Sequence, residues 1–304
     1  MPPEPAPTGA SRVIVGVDAS DRSRDALELG QALNEPGGRL IVVYAHPFGE
    51  LSSLLAEGDE QRLVREAAES VARQAYDVLD DATEREMRIV AERSPAAALQ
   101  QLALESEGGL IVVGSSERSG LGKVLAGSVA EALLSGAPVP VAVAPGGYAS
   151  ATRPPARLIG CAFDGSAEAR HALRYAAELG PRLGADIQII GVHQPVIFGV
   201  SVSGTLGYRS ANDALREAMQ TKLDGARDQL DSGAGATTLL LEGPVATTLI
   251  TQSAELDLLV AGSRGYGPVR RVLVGSVSRA LVREASCPVV VVPRPGDPEV
   301  EAAS

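Results

Sequence analysis

Leu258-Leu259-Val260-Ala261-Gly262-Ser263-Arg264-Gly265, running on through Tyr266-Gly267-Pro268-Val269-Arg270-Arg271 to Val272-Leu273-Val274-Gly275-Ser276, decides how the rest of the chain is read. The short apolar run that ends at a glycine predicts a buried parallel strand. A glycine-rich excursion carrying Arg264, Arg270 and Arg271 follows it. After Gly275-Ser276, the apolar residues Val277, Leu281, Val282 and Ala285 recur at helical spacing. Strand, glycine loop, cations and a serine at a helix start form a backbone suited to phosphate. Without side chains the peptide N–H groups can approach an anion, and the helix start adds unpaired donors and a positive dipole end. The plainer reading is a tight strand-to-helix connection, which accounts for the glycines but not for three arginines in a chain of formal net charge -11. A Walker A loop is absent, since Gly122-Lys123 is followed by Val124, and no G-x-G-x-x-G follows either first strand.

Working outward, the same unit is written twice. Val13-Ile14-Val15-Gly16-Val17-Asp18-Ala19-Ser20 matches Leu158-Ile159-Gly160-Cys161-Ala162-Phe163-Asp164-Gly165-Ser166. Gly114-Ser115 matches Gly262-Ser263, Gly127-Ser128 matches Gly275-Ser276, and Pro140 matches Pro288. The offset is 146 residues at the aspartates and 148 at the glycine loops, so the repeat is a duplicated domain. The first domain is expected over residues 11–147 and the second over 157–295, with a short, stiff linker containing Pro154-Pro155 between them.

Each copy alternates strand and helix. In the first, strands are expected at 13–17, 40–45, 87–91 (weak), 110–113 and 139–144. Helices are expected from the Ser20/Asp21 cap, through a long segment ending near Leu79, from Ser94-Pro95 to Leu104, and from Ser128. Ser128 with Glu131 also fits a capping box. In the second, strands are expected at 158–163, 186–192, 237–241, 256–261 and 289–292, and helices at 166–183, 210–230, after Gly243-Pro244, and from Ser276. This is an α/β protein of two tandem doubly wound domains. Each is a five-stranded parallel sheet with helices on both faces, and its ligand belongs beyond the carboxyl ends of the strands where the winding reverses. There Asp18 or Asp164 would face its own glycine loop and accept from sugar or base groups; capping of the next helix is the competing role.

Composition narrows the function. The chain has 304 residues, 45% hydrophobic and 21% charged, with 38 acidic against 27 basic residues, which argues against general nucleic-acid binding. Cys161 and Cys287 sit in or beside apolar runs, as buried free thiols do. No metal-ligand spacing exists, no apolar run approaches the ~20 residues of a membrane span, and the proline-rich start lacks the features of a signal peptide. A cytoplasmic location is expected.

These residues resemble the universal stress proteins. That family's signature, Gly, two residues, Gly, nine residues, Gly, then Ser or Thr, is met at Gly262, Gly265, Gly275 and Ser276, with the family's aspartate on Asp164. The resemblance covers both copies and implies a sheet order of 3-2-1-4-5. It also implies ATP, with or without Mg2+, in the crevice, and pairing through strand 5, here within the chain; a homodimer is expected from symmetry preferences. It places Ala162, Val192 and Val277 in the pocket beside Arg264. The first-copy counterparts Gly16, Asp18, Ala45, Gly114, Gly127, Ser128 and Val129 would form a weaker or empty site. There Glu117 replaces the second glycine and sets a carboxylate on the phosphate path, although Arg118, Gly120, Gly122 and Lys123 could re-route the loop. The expected function is a nucleotide-binding stress-response regulator with an unidentified signalling partner, under a glycine-bearing cover at 195–209 (Gly199, Gly204, Gly207). An interaction scaffold without nucleotide and a slow ATPase are the alternatives. His46 and His193, after strand 2 of each copy, lack a partner for catalysis, and no nucleophile–base pair is visible.

Overall fold

The computed structural model describes residues 12–18, 20, 22–35, 37–46, 59–80, 83–106, 109–115, 128–151, 155–195, 205–230, 235–263 and 275–294. The chain divides into two compact units, Met1–Arg153 and Pro154–Ser304.

In the first unit the strands are β1 (Arg12–Val17), β2 (Arg39–His46), β3 (Glu84–Ala91), β4 (Leu110–Gly114) and β5 (Val141–Ala144). The helices are α1 (Arg22–Leu33), α2 (Asp59–Val78), α3 (Pro95–Glu105) and α4 (Ser128–Leu134). The sheet order is β3-β2-β1-β4-β5, all parallel. β1, β4 and β5 are buried on both faces, which explains their unbroken Val/Ile/Ala runs. Alternate residues of β1 meet different helices. Gly30 of α1 packs against Val15, whereas a Cβ on Gly16 would lie 2.8 Å from Leu99 Cδ1 of α3. Helices therefore cover both faces.

The second unit repeats this with β6 (Leu158–Ala162), α5 (Ala167–Leu183), β7 (Asp186–His193), α6 (Thr205–Asp228), β8 (Ala236–Glu242), α7 (Val245–Gln252), β9 (Leu258–Gly262), α8 (Ser276–Glu284) and β10 (Val289–Val292). Its order is β8-β7-β6-β9-β10, again parallel. Ser166 caps α5 by accepting from the Ala169 amide at 3.1 Å, and Gly184 at φ +65° ends it in the left-handed conformation.

Several boundaries differ from the sequence reading, each for a physical reason. β3 starts at Glu84, three residues early, because it is an edge strand whose charges face solvent and hide its periodicity. Arg39 on β2 reaches Glu84 at 3.1 Å and Glu86 at 3.2 Å, and Arg88 meets Glu86 at 2.7 Å. A 3-10 turn at Ser253–Glu255 delays β9 to Leu258, and β5 starts at Val141 rather than 139, after Pro140. α6 begins at Thr205, so the last part of the supposed cover is helix; 196–204 lie outside the described residues. Ser128 opens α4 with Glu131 in its first turn, and the preceding Gly127 lies outside the described residues.

The linker is pinned at both ends. The buried Asp25 of α1 accepts from the Gly147 amide at 2.9 Å and the Ala149 amide at 2.8 Å. Asp257, just before β9, accepts from the Arg157 and Leu158 amides at 2.8 and 3.0 Å.

Candidate functional site

In the second unit the winding reverses between β6 and β9, and a cavity of about 120 Å³ opens there. Ala162 ends β6, Val192 sits near the end of β7, Gly262 ends β9, and Gly275, Ser276 and Val277 start α8. With Asp164 they all line this cavity. Seven of the nine residues proposed from sequence are thus brought together. Arg264 and Gly265 lie outside the described residues, as do Arg270 and Arg271.

α8 supplies the donors. Its cap is Gly275, which offers no side-chain hydrogen bond, unlike Ser166 on α5 or Ser94 on α3. The first turn of a helix leaves its N–H groups without intrahelical partners, so an uncapped start at a cavity wall presents donors and partial positive charge. The strand end does less than its glycine suggests. The Ser263 amide donates to Val292 O at 2.9 Å and so belongs to the sheet. A Cβ on Gly262 would lie 2.7 Å from Glu168 O of α5, so packing alone requires this glycine. Gly114 has the same relation to Arg22 O, at 2.9 Å.

Asp164 has a local role as well as a place in the cavity. Its Oδ1 accepts from the Ser166 amide at 2.9 Å, which sets up the serine that caps α5. In the first copy Asp18 likewise accepts locally, from the Ser20 amide at 3.1 Å, the Ser20 hydroxyl at 2.5 Å and the Ser23 hydroxyl at 3.0 Å. For Asp164 the local and the cavity role are therefore compatible, although the cap itself is Ser166; the residue before α1, Asp21, lies outside the described residues.

The cavity has walls that the sequence reading does not single out. Phe163, Ile190 and Leu249 are its apolar sides, and Glu168 adds a second carboxylate, with Arg294 3.9 Å away. Glu168 stands in the first turn of α5 while Asp164 precedes the helix, so helical spacing in the sequence does not link the two.

In the first unit Gly16, Asp18, Ala45, Gly114, Ser128 and Val129 occupy the matching ends of β1, β2, β4 and α4; Gly127 and Glu117 lie outside the described residues. Leu99 comes against Gly16 at the position of Ala162. Tyr44 and His46 stack with ring centroids 6.3 Å apart, and burial, helped by the Asp18 charge, raises the Tyr44 pKa. His46 and His193 are both buried at strand ends, and His193 is not part of the cavity wall.

A model of the universal stress protein family matches residues 9–145 and again 156–293. The chain belongs to that family, as a tandem member. One similar universal stress protein, from Mycobacterium tuberculosis, is 26% identical over 294 residues, which is 92% of this chain and 96% of that protein. Another, from Mycolicibacterium smegmatis, is 36% identical over 135 residues, 42% of this chain and 45% of that protein. Among solved structures, a universal stress protein from Archaeoglobus fulgidus superposes with a TM-score of 0.59 at 20% identity, covering 94% of this chain and 99% of that one, a likeness of fold. As in any universal stress protein of this build, the crevice must be judged by its own residues. Among the described residues no helix is long and apolar enough to cross a membrane, and no cluster of three metal-ligating side chains exists.

Proposed function

We propose that this universal stress protein is a cytoplasmic regulator that binds an adenine nucleotide, ATP foremost, in the crevice of its second domain. The observation that carries the reading is the uncapped start of α8, which opens on the same cavity as Ala162, Asp164 and Val192. At about 120 Å³ the cavity is near the ~150 Å³ of a void that accepts a benzene ring. It thus suits a flat base between Val192, Leu249 and Val277, with ribose at Asp164 and phosphates along the lip towards Ser276. Two carboxylates at the lip oppose a triphosphate, so its charge needs cations. Arg264, two residues beyond Gly262, is the candidate from the glycine loop. Mg2+ would arrive on the phosphates and neutralise part of their charge, since the described residues offer no cage for it. Binding rather than turnover fits a site whose neighbouring histidine, His193, is buried away from it.

The first copy is the weaker site in this reading, because Leu99 closes over Gly16. The test is a thermal shift. ATP at ~100 times Kd should stabilise the native protein by about 2.7 kcal/mol. Gly275→Trp, at a φ of -57° that any residue tolerates, should abolish the shift by filling the crevice. Two equal ATP sites per chain in calorimetry, or an undiminished shift in Gly275→Trp, would refute the assignment.

A further inference from the structure

We infer that the second domain carries another ligand site, on the opposite face of its sheet from α7 and α8: a cationic groove for a small phosphomonoester with an apolar body. A cavity of about 570 Å³ opens between α5 and α6, within the range of small-molecule sites. Arg170 and Arg174 of α5 and Lys222 of α6 line it, and among the described residues no carboxylate does. Leu173, Ala226 and Phe163 supply the apolar wall. In a chain of net charge -11, three cations meeting with no acid among the described lining residues is a local inversion of the field.

The two acids of α6 that follow Lys222 in sequence are engaged elsewhere. Asp224 and Asp228 both pair with Arg227, at 3.4 and 2.8 Å, and Gln220 also donates to Asp224. Arg174 donates to His171 Nδ1 at 2.9 Å and has no ion pair within 4 Å among the described residues, its closest acid along α5 being Glu178, one turn on. Neither Arg170 nor Lys222 has an ion-pair partner among the described residues. Gly165, at φ +82°, makes room for Lys222: a Cβ there would lie 3.0 Å from its Cδ and 3.7 Å from its Nζ.

The first domain serves as an internal control. Gly114 and Gly262 meet the carbonyls of Arg22 and Glu168, which fixes the correspondence of α1 with α5. By that correspondence Arg170 matches Arg24, and Arg174 matches Glu28. Arg24 reaches Asp77 of α2 at 3.7 Å, Gln31 of α1 accepts from the Asp80 amide at 2.7 Å, and α1 packs on α2. The first copy thus joins this helix pair with opposite charges. The second has replaced an acid by a base, added Lys222, and opened a cavity. A plain helix–helix seam has no need of three like charges, whose mutual repulsion an anion would relieve.

The site does not depend on the nucleotide reading, and the experiment separates the two. The full chain is titrated by calorimetry with 1-naphthyl phosphate, and with inorganic phosphate and 1-naphthol as its two halves. The intact probe should bind at least about ten-fold tighter than either half and weaken with salt. The double variant Arg170→Glu, Lys222→Glu should lose about ten-fold or more, and its melting curve should show that it folds. Gly275→Trp, which fills the crevice, should bind the probe as the parent does. Equal binding in the charge-reversed variant, loss in Gly275→Trp, or no binding at millimolar probe would each overturn the proposal. Phthalate binding tighter than naphthyl phosphate would overturn the phosphomonoester assignment.

Discussion

Gly262→Ala should unfold this protein more easily without any nucleotide present. The added Cβ would sit 2.7 Å from the carbonyl oxygen of Glu168 and 2.8 Å from its carbonyl carbon. Both atoms are backbone in the first turn of α5, so no side chain can swing aside. The end of β9 and the start of α5 must separate by several tenths of an ångström. That movement pulls on Val292 O, which holds the Ser263 amide at 2.9 Å, and on the Ser166 cap. Overpacking of this kind costs about 1–3 kcal/mol. For a domain of this size, ~1 kcal/mol moves Tm by about 2–4 °C, so a fall of roughly 3–10 °C is expected. Gly114→Ala should do the same in the first domain against Arg22 O, at 2.9 Å. The assay is differential scanning calorimetry of the nucleotide-free chain. If the unliganded Tm stays within about 1 °C of the parent while the ATP shift disappears, the glycine serves ligand approach and the packing argument is wrong.

Asp25→Ala should destabilise the first domain by about 2–4 kcal/mol in chemical denaturation, because it strands the Gly147 and Ala149 amides; limited proteolysis should then cut sooner near residues 146–151. Cys161 is fully enclosed in β6, and burial pushes its thiol pKa up to about 12. Its labelling by a thiol reagent at pH 8 should therefore proceed no faster than unfolding exposes it, and rapid native-state labelling would contradict the burial. The His171 pKa is lowered, first by desolvation and then by the Arg174 charge, against a smaller opposing pull from Glu178. The unfolded chain binds the proton more readily, so His171 should cost stability as pH falls through ~6.5 and none above it. His171→Gln should flatten the pH dependence of Tm between about pH 6.5 and 5 relative to the parent.

What the sequence reveals is what periodicity and repetition encode. The buried runs of β1, β4, β6 and β9 are long enough to read directly, and the matched Asp18/Asp164 and Gly114/Gly262 pairs locate the reversal of winding in each copy. Seven crevice residues follow from those anchors because each lies at the end of an element. Edge strand β3 is harder to read, since charge pairing across its exposed side replaces apolar alternation. The start of α6 is obscured by glycines that suggest a loop. Glu168 and Leu249 escape notice for another reason: they reach the crevice from helix faces, and a one-dimensional pattern does not say which residue of a face stands at the rim.

The two copies show how one backbone can carry two electrostatic designs. The glycines that end β4 and β9 stay because a helix carbonyl lies against each, whatever the domain binds. The side chains around them are not so constrained. Arg22 donates to Ser115 O at 3.1 Å, while its counterpart Glu168 faces Arg294. Asp25 grips the linker, while its counterpart His171 accepts from Arg174. Each exchange reverses or removes a charge within one turn of the crevice or the groove, yet leaves the strand register intact. Function in this duplicated chain is therefore to be sought where the copies differ in charge and cavity, not where they agree in glycine.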